Sequence, residues 1–185
     1  RTSDAEEQLA ALSDVLDLPW VGDVPTVTAR VISGPGSNFD HAVRIDKGTD
    51  HGIADGMPVV TGAGLVGRVS RAGSTSSTVE LVTEPQFLVG VRLVETGDLG
   101  TARGRGPDNP LIVDTALGPQ ASVEDGAGLV TSGVDRSAFP AGIPVARVGD
   151  TRDAEGGLAL ELVAEPLADV DRLSYLTVLL WDEAG

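Results

Sequence analysis

The sequence predicts a mainly β fold, a barrel or sandwich of short strands, led by a short helix. Three observations predict it. From Val24 onward, short apolar runs alternate with glycine-marked turns at the spacing of all-β domains. The apolar fraction is 41% but aromatics are only 3%, so a core has to be built from Val, Leu, Ile and Ala. Ahead of this texture, Ala5, Leu9, Leu12 and Leu16 are spaced by four, three and four residues, which is the a/d seam of a coiled coil.

The helix is expected over residues 4–17, with Ser3 and Glu6 placed as a capping box and Pro19 as its stop. Its seam spans about two heptads, so an amphipathic helix packed on its own domain is the alternative to a coil. Val27, Ala29 and Val31 then alternate with Thr26, Thr28, Arg30 and Ile32, a strand with one face inward. Residues 34–38 form a loop and residues 42–45 the next strand. Further strands are expected at 77–82, 88–94, 111–116, 128–132, 143–148, 158–163 and 176–181.

Residues 45–69 are the most informative stretch. Glycine supplies positive φ and a neighbouring aspartate bonds the local backbone, so Asp50-His51-Gly52 and Asp55-Gly56 read as turns. Pro58 follows where a strand spares an N–H. Residues 57–61 and 65–70 then pair across Gly62-Ala63-Gly64 as a hairpin. Gly48, Gly52, Gly56, Pro58, Gly64 and Gly67 are thus the turn-setting residues, joined later by Gly142 and Pro144. The pattern is echoed: Asp55-Gly56 before Val59-Val60-Thr61 matches Asp125-Gly126 before Leu129-Val130-Thr131, and Gly56-Met57-Pro58-Val59 matches Gly142-Ile143-Pro144-Val145. Chance likeness between β turns and duplication of a small barrel both account for it.

The run Asp46-Lys47-Gly48-Thr49-Asp50-His51-Gly52 through Val60, followed by Gly64-Leu65-Val66-Gly67-Arg68-Val69, resembles the signature of the rod shape-determining MreC family. Val130-Thr131-Ser132-Gly133 with Phe139-Pro140-Ala141-Gly142-Ile143-Pro144-Val145, and Glu165-Pro166-Leu167-Ala168-Asp169-Val170-Asp171-Arg172-Leu173, agree with it. The resemblance implies two small six-stranded antiparallel β-barrels preceded by the coiled-coil-type α-helix. We expect the helical end at 1–20, the first barrel at 22–103 and the second at 104–185, because Gly104, Gly106, Pro107 and Pro110 break regular structure. A strand crossing between barrels is compatible with the pattern.

The same resemblance implies a non-enzymatic scaffold of the cell-wall elongation complex, on the outer face of the cell membrane and anchored by an upstream helix. Its implied partners are a second copy of itself as dimer or filament, a class B penicillin-binding transpeptidase, and MreD, RodA and MreB in the full-length complex. Self-pairing is expected along Ala5, Leu9, Leu12 and Leu16, or through exposed strand edges. Phe39 stands where the family often has tryptophan, and His51 and Ala54 sit at variable positions of the main motif.

Other chemistries read poorly. A net charge of −15 with a single lysine excludes an obvious nucleic-acid surface, and the absence of cysteine removes disulfides and thiolate sites. No cofactor is expected: Gly62-Ala63-Gly64-Leu65-Val66-Gly67 is a literal dinucleotide fingerprint, but a strand follows where a helix is required. Asp46, Gly48 and Asp50 begin like a calcium loop, which then lacks its sixth-position glycine and twelfth-position glutamate. A calcium-stabilised adhesion module predicts a large calcium-dependent rise in melting temperature. Ser132 with His41 or His51 and an aspartate sketches a two-barrel hydrolase, for which a serine-directed probe is the test.

Overall fold

The computed structural model describes residues 24–33, 42–106, 109–115, 117–118, 121–133, 139–153, 157–169 and 173–181. They form two closed six-stranded barrels. The expected helix at residues 4–17, with its seam Ala5, Leu9, Leu12 and Leu16, lies outside the described residues.

The first barrel contains β1 (Thr26–Ser33), β2 (Ala42–Ile45), β3 (Pro58–Thr61), β4 (Gly64–Ala72), β5 (Ser77–Leu81) and β12 (Tyr175–Leu179), in the closed order β1-β12-β3-β4-β5-β2. Every pairing in it is antiparallel. Strand alternation delivers Ala29, Val43, Ile45, Val59, Val69, Val79, Leu176 and Val178 to one aliphatic core, joined by Ile53 from the turn before β3. Val43, Val69 and Val79 share a layer through the registers Val43↔Val79 and Val69↔Val79.

The second barrel contains β6 (Leu88–Leu93), β7 (Leu99–Arg103), β8 (Leu111–Thr115), β9 (Gly128–Thr131), β10 (Pro144–Asp153) and β11 (Leu160–Pro166), in the closed order β10-β11-β8-β7-β6-β9. Its interior holds Val89, Val91, Val113, Leu129, Val145 and Leu162, all buried. Phe87 and Phe139, also buried, meet with ring centroids 6.0 Å apart at 52°, an edge-tilted aromatic geometry.

The domain boundaries expected at 22–103 and 104–185 do not hold. The chain divides after Leu81 and again after Leu167, and the second barrel is inserted into the first. Residues 99–103, which those bounds assigned to the first barrel without a strand, are β7 of the second, paired with β6 and β8. The final strand, β12, returns to the first barrel between β1 and β3. Gly104 and Gly106 mark an internal turn instead: Gly104 is packed against the Thr83 and Glu84 backbone, and Gly106 (φ +98°) donates its N–H to the Thr83 carbonyl at 2.7 Å. Turn residues report chain reversal, and nothing in them distinguishes a reversal within a barrel from a crossing between two.

Candidate functional site

The turn-setting residues of the main motif lie in the turns before and after β3 and in the first half of β4. Gly48 is extended, and a Cβ there would stand 2.0 Å from the Gly73 carbonyl oxygen. That bare backbone lets Thr49 and Asp50 donate their N–H groups to the Gly73 and Ser74 carbonyls at 2.8 and 3.1 Å. A single 3-10 turn, Thr49–His51, follows and ends at Gly52 in the left-handed region (φ 90°). Asp55-Gly56 makes the next reversal, with Gly56 at φ 89° and the Asp55 Oδ1 accepting the Ala72 N–H at 2.7 Å. Pro58 opens β3 opposite Arg68, Gly64 (φ 151°) opens β4, and Gly67 lies hard against the Glu80 carbonyl of β5.

The sequence echo corresponds to one repeated backbone device. In the first barrel Gly56 donates its N–H to the Val69 carbonyl, and Val69 donates back to Met57, at 2.7 and 2.8 Å. In the second barrel Gly126 and Ala127 bracket Val148 in the same way at 2.7 and 2.9 Å, and Gly142 and Ile143 bracket Thr131 at 2.9 and 2.8 Å. Each glycine has positive φ, between 85° and 93°. The third copy carries an extra clasp: the buried Thr131 hydroxyl donates to the Pro140 carbonyl at 2.6 Å and accepts the Ile143 N–H at 2.9 Å. Pro144 sits across from Val130 beside it.

These residues are therefore spent on architecture. His51 is exposed and its Nδ1 accepts the Gly48 N–H at 3.2 Å. Asp46 Oδ1 accepts the Arg30 N–H at 2.8 Å, and among the described residues no group of three or more His, Asp or Glu is arranged to hold a metal. The glycine string at 62–67 turns directly from β3 into β4. Ser132 donates its backbone N–H to the Gly90 carbonyl at 3.0 Å, in the barrel that His51 does not belong to. His41 lies outside the described residues.

What remains is surface. Closure of both sheets removes the long free edges that strand-addition needs, so edge pairing as expected from the sequence has little to work with. A long overhang is the far half of β10, paired with β11 but not with β9 beyond Arg147. It is blunted by the register shift between Val148 and Asp150 and by Asp150 Oδ1, which accepts the Thr151 N–H at 2.8 Å.

Charge on these surfaces is uneven. The outer wall formed by β1, β2, β5 and β4 presents Arg30, Arg44, Arg68 and Arg71; Arg44 and Arg71 both lie opposite Thr78, one on each side of it. Arg68 meets Glu80 at 3.6 Å and Arg44 donates to Ser76 Oγ at 3.0 Å. At one end of the second barrel, Glu95, Asp98 and Glu124 surround a depression of about 240 Å³ floored by Leu93, Leu117 and Ala127.

Two β-barrels braced by the repeated glycine turn match known proteins. Residues 31–180 match the family model described as rod shape-determining protein MreC, barrel core. The chain belongs to the MreC family. It is 31% identical over 181 residues, 96% of its length, to the cell shape-determining protein MreC of Listeria monocytogenes, and 30% identical over 176 residues, 95% of its length, to that of Escherichia coli. It spans 61% and 47% of those two proteins. A solved structure of an MreC superimposes with a TM-score of 0.84 at 27% identity, covering 95% of this chain and 98% of that one. An MreC from Helicobacter pylori, solved in complex with the penicillin-binding protein PBP2, shares the fold with a TM-score of 0.64 at 18% identity, covering 85% of this chain and 99% of that one. The family is one of cell shape-determining structural proteins, not of enzymes.

Proposed function

We propose that this chain is the outer-face portion of a scaffold that organises cell-wall elongation, binding a class B penicillin-binding transpeptidase and associating with further copies of itself. The observation that carries this reading is membership of the MreC family across residues 31–180, supported by the Helicobacter relative solved with a penicillin-binding protein. The braced barrels suit such a role. Glycine turns and an aliphatic core brace each barrel and leave little that could do chemistry, so what each barrel offers a partner is surface shape and charge. In the full-length protein an upstream helix anchors the chain in the cell membrane, the seam Ala5, Leu9, Leu12 and Leu16 pairs two copies, and MreD, RodA and MreB complete the complex.

The test is direct binding of this chain to the outer domain of the same organism's class B transpeptidase by interferometry, with a Leu12→Asp variant alongside. Saturable binding at micromolar concentration or tighter supports the scaffold reading. Absence of binding at high concentration removes the transpeptidase from it. If Leu12→Asp and the wild type sediment as the same oligomer, the helical seam is not the pairing element.

A further inference from the structure

We propose that the outer wall of the first barrel formed by β4, β5, β2 and β1 binds an anionic polymer of the cell envelope whose repeat carries a phosphodiester, with Arg44 and Arg71, on either side of Thr78, as its principal contacts. That such a polymer is within reach rests on the outer-face placement proposed above. In a chain of net charge −15, these four adjacent strands carry four arginines, Arg30, Arg44, Arg68 and Arg71, and one carboxylate, Glu80. Glu80 is paired with Arg68 at 3.6 Å. Two carboxylates bordering the wall bond backbone instead: Asp46 accepts the Arg30 N–H and Asp55 the Ala72 N–H. Arg30, Arg44 and Arg71 are all exposed, and none of them forms an ion pair with a carboxylate among the described residues.

Register sets the arrangement. Arg71 on β4, Thr78 on β5 and Arg44 on β2 form one cross-strand row, because both arginines pair with Thr78. Two strand spacings put the arginine Cα atoms about 10 Å apart, so the two long side chains can converge on one tetrahedral anion or hold successive ones. Thr78 is small enough to leave the space between them open, and its hydroxyl is a further donor. Arg44 donates to Ser76 Oγ at 3.0 Å, which steadies one guanidinium at the edge of the row. Guanidinium forks match phosphate oxygens two at a time. Other polyanions and partners fit less well. A protein partner needs an apolar anchor in its footprint, and the one exposed large apolar side chain among the described residues of these strands is Ile32. Nucleic-acid bases need aromatic side chains to stack on, and these four strands have none. In the arrangement proposed above, a helix over residues 4–17 would hold β1 about 21 Å beyond the anchor, more than two Debye lengths from lipid headgroups. A flexible polymer instead joins several weak exposed contacts on one chain, which raises their combined strength.

Fluorescence anisotropy with labelled poly(glycerol phosphate) as the probe tests this. The wild type is expected to bind it saturably at low salt, with affinity falling about tenfold between 50 and 200 mM salt as counterions compete. Arg44→Gln with Arg71→Gln should weaken binding by about tenfold or more, and Arg44→Lys with Arg71→Lys by a smaller factor, because charge survives but the paired donors do not. Arg92→Gln with Arg147→Gln, which makes the same charge change on the second barrel, should stay within about twofold of the wild type. All four positions lie outside the cores, so melting temperatures near the wild type report folding independently. Equal losses in the two glutamine pairs overturn the proposal, since the attraction is then not located at the wall. Absence of binding at low salt overturns it, and so does equal binding of polyglutamate of matched length, which would make the surface a general anion binder. Binding to phosphatidylglycerol vesicles without binding to the polymer overturns it in favour of a membrane contact. Each of these results leaves the transpeptidase reading to its own binding measurement.

Discussion

Gly67→Ala is the sharpest test of how the first barrel is held. Gly67 lies where β4 passes β5, in register with Leu81 on one side and Val59 on the other. A Cβ built there stands 1.8 Å from the Glu80 carbonyl oxygen, 2.9 Å from its carbon and 3.1 Å from Leu81 Cα. Ordinary contact needs roughly 3.5 Å, so the β5 backbone has to retreat by about 1.5 Å. Overpacking against side chains costs about 1–3 kcal/mol, and here the obstacle is backbone held in a ladder on both sides, with one or two hydrogen bonds to lose at about 1 kcal/mol each. The sum is about 4 kcal/mol, which for a unit of this size lowers the melting temperature by about 20 °C. Gly56→Ala is the matched control: nothing lies within 4 Å of its Cβ and only the φ of 89° is strained, a cost of about 1 kcal/mol or slightly more. Calorimetric melting of both variants decides it. Gly67→Ala melting within about 5 °C of the wild type, or above Gly56→Ala, refutes the reasoning.

Other substitutions separate the remaining contributions. Thr131→Val keeps the volume but strands the Pro140 carbonyl and the Ile143 N–H; it should cost about 2–3 kcal/mol in urea unfolding, with Thr131→Ser costing under about 1. Phe87→Ala removes a fully buried ring and its contact with Phe139; it should cost about 4 kcal/mol, with amide-exchange protection lost in β6 to β11 first. Arg152→Ala breaks a surface pair with Glu161, which Arg103 also approaches at 4.0 Å; its effect should stay below about 1 kcal/mol and vanish at high salt.

How much of this was legible depended on whether the information was local. Gly56, Gly126 and Gly142 announced three turns, because a left-handed backbone position needs glycine wherever it occurs. The echo between them was a real structural repeat, down to the paired hydrogen bonds on Val69, Val148 and Thr131. β7 was missed because Leu99-Gly100-Thr101-Ala102-Arg103 has one fully buried side chain, Ala102, and a glycine held bare by the Asp114 carbonyl at 2.8 Å. Neither reason is visible before β8 is placed beside it. The insertion of one barrel into the other left a fainter trace: Glu84-Pro85 and Glu165-Pro166 each lie within three residues of a crossing. Proline ends ladder pairing and holds the preceding residue extended, as a crossing requires, but Pro110 and Pro140 do similar work inside one barrel. The arginine wall was invisible for the same reason as β7. Arg30, Arg44 and Arg71 are far apart in sequence, and only the register through Thr78 brings the last two to one face.

The insertion has a consequence for folding that sequence order hides. β12 pairs with both β1 and β3 and supplies Leu176 and Val178 to the first core, so that barrel stays open until the chain has passed through the whole second one. A chain truncated after Leu167 retains every strand of the second barrel but leaves β1 and β3 as two free edges flanking an unfilled core. Such edges pair with other copies, and the loss of two fully buried side chains costs about 4 kcal/mol before any backbone bond is counted. The truncated chain is therefore expected to lose the protected amides of β1 to β5 and to aggregate, while β6 to β11 keep theirs. Residues 82–167 expressed alone should melt cooperatively. If the truncated chain instead stays monomeric with β1 to β5 protected, the first barrel does not depend on its last strand, and closure is not what holds it.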